Sequence, residues 1–333
     1  MGLYRSLARP LFFALPSEAA HELALRLLGW PLPWERIGGA VRDPVLRTSV
    51  AGLELENPIG LAAGFDKTGR RLDALGRLGF GYVVGGTFTL RARVGHPKPR
   101  IVRRRPGALV NAMGLPNPGA AAVAGILRRT GRSAPRLASL ADEEPEDVLA
   151  MLDLLEPLVD GFELNASSPN ATWEHDAGRV GEILDGLRGR TRKPVFVKVP
   201  PFGTPEERAG VLAMARVAVE HGASGLTCSN ARPVVEPRLA RGRGGLSGLP
   251  LSGRTPAIVR EVRAETGGEL PINASGGIAT VADALACLDA GAATVQLYTG
   301  LIYRGPRIVG ELTRGLAAAL HAGERARPRS PAP

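Results

Sequence analysis

The densest group of reactive side chains in this chain is Asn165-Ala166-Ser167-Ser168-Pro169-Asn170. Two asparagine amides offer paired donors and acceptors to a planar ligand with amide and carbonyl edges, and a serine between them can take a proton where water is excluded. A plain Asx or Ser turn uses the same residues, so the hexapeptide needs support from elsewhere. Lys67 and Lys198 provide some, being two of only four lysines, the others standing at 98 and 193. A lysine at a buried site holds a carboxylate or stabilises negative charge on a cofactor ring; an ion pair with Asp66 or Glu163 is the structural alternative. His21, His96, His175, His221 and His321 show no metal-ligand spacing, and no metal site is expected.

Positioning these groups requires a scaffold, and its pattern starts at Asn57. Short apolar runs occupy 59–63, 82–85, 137–140, 161–165, 195–199, 225–229, 272–275 and 294–298. Helical stretches fill 70–78, 119–129, 145–158, 179–187, 205–221, 256–266, 281–290 and 306–320. Continuous apolar strands alternating with helices pair in parallel and are buried on both faces, which predicts a (β/α)8 TIM barrel, with a doubly wound sheet as the alternative. Polar and glycine-rich motifs fall just after the runs: Gly64-Phe65-Asp66-Lys67, Gly86-Thr87, the asparagine-serine hexapeptide, Lys198, Ser229-Asn230, Gly276-Gly277 and Tyr298-Thr299-Gly300. They therefore share one rim, the carboxyl ends of the strands, where barrel enzymes keep their sites. Segments 274–278 and 296–300 supply free backbone amides and a helix start suited to a phosphate, and Gly244 to Gly248 adds backbone that can approach a ligand closely.

Composition bounds the remaining choices. The 333 residues are 44% hydrophobic and 22% charged, ordinary for a globular chain of one barrel plus an appendage. Two cysteines, Cys228 and Cys287, fit a reducing compartment. The net charge of +10 is spread along the chain and only 5% of residues are aromatic, which argues against nucleic acid and favours an anionic membrane surface. The first forty residues form two short amphipathic helices joined at Leu15-Pro16-Ser17, too short to span a bilayer and interrupted by Pro16, Glu18 and His21 where a signal peptide needs an apolar core. The expected division is a helical cap over 1–40, the barrel over 41–322 and a loose tail over 323–333.

Taken together, Leu15 to Glu22, Asn57 to Lys67, Lys98-Pro99-Arg100, Asn111-Ala112-Met113-Gly114, Asn165 to Asn170, Gly244 to Gly248 and Val295 to Gly300 resemble the dihydroorotate dehydrogenases, specifically the membrane-associated class that uses quinone. The resemblance implies an FMN-binding barrel that oxidises dihydroorotate to orotate in pyrimidine synthesis. It also implies peripheral attachment at the cytoplasmic face of the cell membrane, with no obligate protein partner. By motif, Ser168 is the base that removes the ring proton. Lys67, Asn111, Ala112, Met113, Gly114, Leu115, Asn165, Asn170, Asn230 and Ala231 would surround the substrate. Ala63, Gly64, Phe65, Asp66, Lys67, Thr87, Asn165, Lys198, Ser229, Gly248, Gly277, Tyr298 and Thr299 would surround FMN, with His21 and Arg103 along the quinone tunnel. One segment and two single positions depart from the family: Leu137 to Asp142 replaces a Gly- and Asn-rich segment, Leu115 an aromatic and Ala171 a threonine. They leave open a related flavin oxidoreductase acting on another cyclic amide or dihydropyrimidine. A non-catalytic barrel that binds a phosphorylated ligand is the alternative from a different class.

Overall fold

A computed structural model describes residues 4–104, 107–167 and 176–326. The chain opens with a π-helical turn, Tyr4–Ala8, that runs into α1 (Arg9–Ala14). Pro16 cannot continue the helix, and α2 (Ser17–Leu27) and the short α3 (Trp34–Gly38) follow. An antiparallel hairpin of β1 (Thr48–Val50) and β2 (Leu53–Leu55) comes next. The alternation then begins with β3 (Ile59–Leu61), α4 (Leu72–Arg77) and β4 (Tyr82–Phe88). After the paired strands β5 (Ile101–Arg104) and β6 (Ala108–Asn111), it continues through α5 (Ala120–Leu127), β7 (Arg136–Leu140), α6 (Pro145–Leu155) and β8 (Gly161–Asn165). Next come α7 (Ala177–Leu187), β9 (Val195–Val199), α8 (Pro205–Glu220) and β10 (Gly225–Cys228). A second pair, β11 (Arg232–Val235) and β12 (Arg243–Gly248), precedes α9 (Thr255–Glu265), β13 (Ile272–Ser275) and α10 (Val281–Asp289). Last are β14 (Thr294–Leu297), α11 (Thr299–Arg304) and α12 (Ile308–Ala326).

Strands β3, β4, β7, β8, β9, β10, β13 and β14 close a parallel barrel in chain order. These are the eight apolar runs of the sequence, and every residue in them is buried, as parallel strands covered on both faces require. The expected barrel is therefore the observed one. Capping boxes start two of the outer helices, Thr204 with Glu207 on α8 and Thr280 with Asp283 on α10, and so fix where the preceding loops must end.

Inside the lower barrel, Tyr82, Val84, Leu137 and Phe196 pack with Val50 and Leu55 of the hairpin, which plugs that end. Two glycines make room for the rings: a Cβ on Gly60 would lie 2.3 Å from the Tyr82 ring, and one on Gly225 2.7 Å from the Phe196 ring. At the opposite end the two inserted pairs join as one antiparallel sheet in the order β11-β12-β6-β5 and roof the strand ends. The segment 244–248, expected as connecting backbone, thus lies wholly within strand β12.

The cap is tied to this roof. Glu18 Oε1 accepts from the amides of Arg100 (2.7 Å) and Ile101 (3.2 Å), and Arg103 donates to the carbonyls of Phe12, Phe13 and Leu15 at the end of α1. Leu28 and Trp34 belong to the main hydrophobic core, so the packing is continuous across the boundary expected at residue 40. At the other end α12 continues to Ala326, past the expected boundary at 322.

Candidate functional site

A cavity of about 1060 Å³ occupies the carboxyl end of the barrel beneath the roof sheet. Its polar floor is a hydrogen-bonded chain that crosses four strands. Asn230, just after β10, donates from Nδ2 to Ser167 Oγ (2.7 Å); Ser167 donates to Asn165 Oδ1 (2.7 Å); Asn165 Nδ2 donates to Thr87 Oγ1 on β4 (2.8 Å). The chain ends at Ser139 of β7, whose hydroxyl lies 3.0 Å from that of Thr87. Each side chain thereby fixes the orientation of the next, which a bound ligand then meets as a preset row of donors and acceptors.

Lys198 Nζ enters the cavity from β9 and stands 3.6 Å from Glu163 Oε1. Lys67 enters from the loop after β3, and its ammonium donates to the carbonyl of Gly64. Burial pushes the Lys67 ammonium down to about 8; Asp66 opposes the shift and Arg100 adds to it. The loop that carries Lys67 is shaped by the buried Asp66 carboxylate, which accepts from the amides of Thr68 (2.9 Å), Gly69 (3.0 Å) and Arg71 (2.6 Å).

At the other end of the cavity the wall is backbone. Gly248, Gly276 and Gly277 hold φ of +93°, +125° and +76°, values that disfavour any side chain. A Cβ on Gly277 would sit 2.2 Å from the Ser252 amide nitrogen, and one on Gly248 2.3 Å from the Gly107 carbonyl. Thr299, at the start of α11, shares a 2.9 Å contact with Ser247.

A second, largely apolar cavity of about 250 Å³ lies between the cap and the barrel, lined by Phe12, Phe13, His21, Arg103, Leu301 and Ile302 among others. Asn111, Met113 and Tyr298 line both cavities and so form the wall between them. Phe65 bridges the cap to that wall, edge to face with His21 (5.4 Å between centroids) and with Tyr298 (5.7 Å). Burial, reinforced by the charge of Lys67, pushes the His21 imidazolium down to about 3, leaving a neutral ring at ordinary pH.

Of the expected site residues, Ala63, Gly64, Lys67, Thr87, Asn111, Ala112, Met113, Gly114, Leu115, Asn165, Lys198, Asn230, Ala231, Gly248, Gly277, Tyr298 and Thr299 line the larger cavity. His21 and Arg103 line the smaller one. Phe65, Asp66 and Ser229 do not line the larger cavity: Phe65 faces the smaller one, Asp66 turns into its own loop, and Ser229 is buried with its amide donating to Ser275. Ser168 and Asn170 lie outside the described residues. No individual side-chain role was expected for Ser167, Ser139 or Gln296. The available signal was polarity inside apolar strand runs, since Ser139 interrupts 137–140 and Gln296 interrupts 294–298.

The larger cavity fits a flavin mononucleotide. The glycine-lined end would admit a phosphate against backbone, two lysines and the amide row would suit a ring with carbonyl and imide edges, and the buried Gln296 Oε1 in the lining has no hydrogen-bond partner among the described residues. No cluster of three metal-ligating side chains occurs among the described residues, and no helix among them is long and apolar enough to cross a membrane.

A family model described as dihydroorotate dehydrogenase matches residues 45–320. A protein named dihydroorotate dehydrogenase (quinone) from Sphingopyxis alaskensis is 38% identical over 330 residues, covering 93% of this chain and 91% of that protein. One of the same name from Thermus thermophilus is 39% identical over 336 residues, covering 93% and 95%. The crystal structure of ligand-free DHODH from Eimeria tenella superposes with a TM-score of 0.82 at 29% identity, covering 92% of this chain and 96% of that one.

Proposed function

The chain belongs to the dihydroorotate dehydrogenase family, in its quinone-dependent class, and from that membership we propose how its residues carry the oxidation of dihydroorotate to orotate in pyrimidine biosynthesis. The observation that carries the reading is the pairing of a cavity that presents two lysines and a row of amides with a nearly wholly apolar one, across a wall of three side chains. One cavity suits a charged, water-soluble heterocycle and the other a lipid-soluble acceptor.

FMN is the cofactor we assign to the larger cavity; bound there it would supply a hydride acceptor for dihydroorotate and a two-electron donor for the quinone. Gly248, Gly276, Gly277 and Thr299 would hold its phosphate, while Lys198, Thr87 and Asn165 would face its ring. Lys67 holds the substrate carboxylate, and Asn111, Asn165, Asn230 and, by motif, Asn170 hold the amide edges. Ser168 removes the proton from the ring carbon that does not give up hydride, so the substrate loses H⁻ and H⁺ and gains its carbon–carbon double bond. Asp66 acts one layer behind, holding the loop that carries Lys67. Phe65, His21 and Arg103 shape the quinone chamber, where the neutral imidazole of His21 offers a hydrogen bond without adding charge to an apolar site.

The cap, which we take as residues 1–40, also supplies the membrane contact. Leu7, Leu11 and Trp30 are 61%, 72% and 59% exposed, large apolar side chains set among Arg5, Arg9 and Arg26. Apolar side chains with a basic surround fit an anionic bilayer interface, which on this reading is the cytoplasmic face of the cell membrane.

The purified protein is expected to be yellow, and anaerobic dihydroorotate is expected to bleach it. A colourless protein that takes up no FMN overturns the reading. Bleaching by a different dihydropyrimidine, with dihydroorotate inert, moves the substrate and keeps the cofactor.

A further inference from the structure

Glu163 is the only acidic residue in the eight barrel strands, and its side chain is 1% exposed. Oε2 accepts from Thr227 Oγ1 on β10 (3.0 Å) and Gln296 Nε2 on β14 (3.4 Å). Oε1 has no hydrogen bond among the described residues and faces Lys198 Nζ at 3.6 Å. Lys198 and Gln296 line the larger cavity and Glu163 does not, so the carboxylate sits one layer beneath the ligand with the ammonium between. A buried ion pair is no better for stability than well-packed apolar side chains, so packing gives no reason to put a carboxylate here. Its position behind a cavity-lining cation does give one.

We propose that Glu163 is a positioning residue that offsets the charge of Lys198 and thereby lowers the midpoint potential of the bound flavin. The inference rests on the reading that FMN occupies the larger cavity. Reduction adds negative charge to the flavin ring, and a bare ammonium beside the ring favours that charge. A carboxylate behind the ammonium works against it through a medium of low dielectric, where the opposing field is poorly screened. The outcome is a flavin that is harder to reduce and a stronger donor to the acceptor in the neighbouring chamber.

The test is the midpoint potential of the full-length, FMN-loaded protein at neutral pH, read by anaerobic equilibration against redox dyes. Glu163→Gln keeps an oxygen to accept from Thr227 and removes the charge. It is expected to shift the flavin equilibrium about tenfold toward the reduced form, an upward move of about 30 mV for a two-electron couple. Thr227→Val is the milder companion: it takes a donor from the carboxylate and leaves the charge, so the equilibrium is expected to move the opposite way. A purely structural Glu163 would alter thermal stability or FMN uptake and leave the potential in place, so an unmoved or lowered potential in folded, flavin-loaded Glu163→Gln overturns the proposal. If that variant does not fold, an unmoved potential in Thr227→Val overturns it instead. A wild-type protein that holds no FMN removes both this inference and the cofactor reading.

Discussion

Lys67 and His21 show how burial adapts single side chains to opposite tasks. Burial lowers both, Lys67 to about 8 and His21 to about 3, yet at neutral pH Lys67 keeps its charge and His21 has none. A lysine so poised binds a carboxylate only while protonated. Orotate affinity, measured by equilibrium titration, is therefore expected to weaken above pH 8, approaching tenfold per pH unit. Lys67→Met should bind weakly with a flat profile; a wild-type profile without a break near pH 8 would separate Lys67 from the substrate. Ser168, the base in the proposed mechanism, is expected to bear on rate instead. Replacing it with alanine should slow flavin reduction by roughly 10²–10⁴, the usual span for a lost general base, and stopped-flow traces that match wild type would remove it from that role.

At the scale of elements, what the sequence made legible depended on how each element is buried. The eight barrel strands stood out because burial on both faces leaves a nearly continuous apolar run, as in Val195–Val199, where Lys198 is the one polar residue. The roof strands did not: Ile101–Arg104 and Arg232–Val235 are arginine-bearing and partly exposed, and the two local pairs they belong to become one sheet only where Arg243–Gly248 meets Ala108–Asn111, more than a hundred residues away in the chain. The hairpin at 48–55 has only three residues in each strand, too few to display a period. The site was legible to the extent that strand ends in a closed parallel barrel must meet, which brings Thr87, Asn165, Lys198 and Asn230 together whatever the helices do. Adjacency within a motif was a poorer guide, because Phe65, Asp66 and Ser229 neighbour cavity residues in sequence while facing elsewhere. The cap yields a prediction of its own. Leu7→Glu with Leu11→Glu changes only exposed side chains, so the fold and dihydroorotate-driven bleaching should persist while sedimentation with anionic vesicles falls. Undiminished sedimentation would place the membrane contact elsewhere.

The molecule as a whole is a barrel stopped at one end and roofed at the other. The stopper depends on Phe196, 1% exposed and packed with the residues that meet the hairpin. Truncating it to alanine should cost about 3–5 kcal/mol, read as a lower denaturation midpoint at unchanged slope. A midpoint within experimental scatter of wild type would show that packing around Phe196 does not hold the stopper in place. At the roofed end, Asn111, Met113 and Tyr298 each present a surface to both compartments. On the proposed assignment of the two cavities, a partition one side chain thick gives the two reactants separate doors. Raising the concentration of one should leave the other's access untouched, so an oily molecule and a salt can be served in turn by a single catalyst without queueing for the same seat.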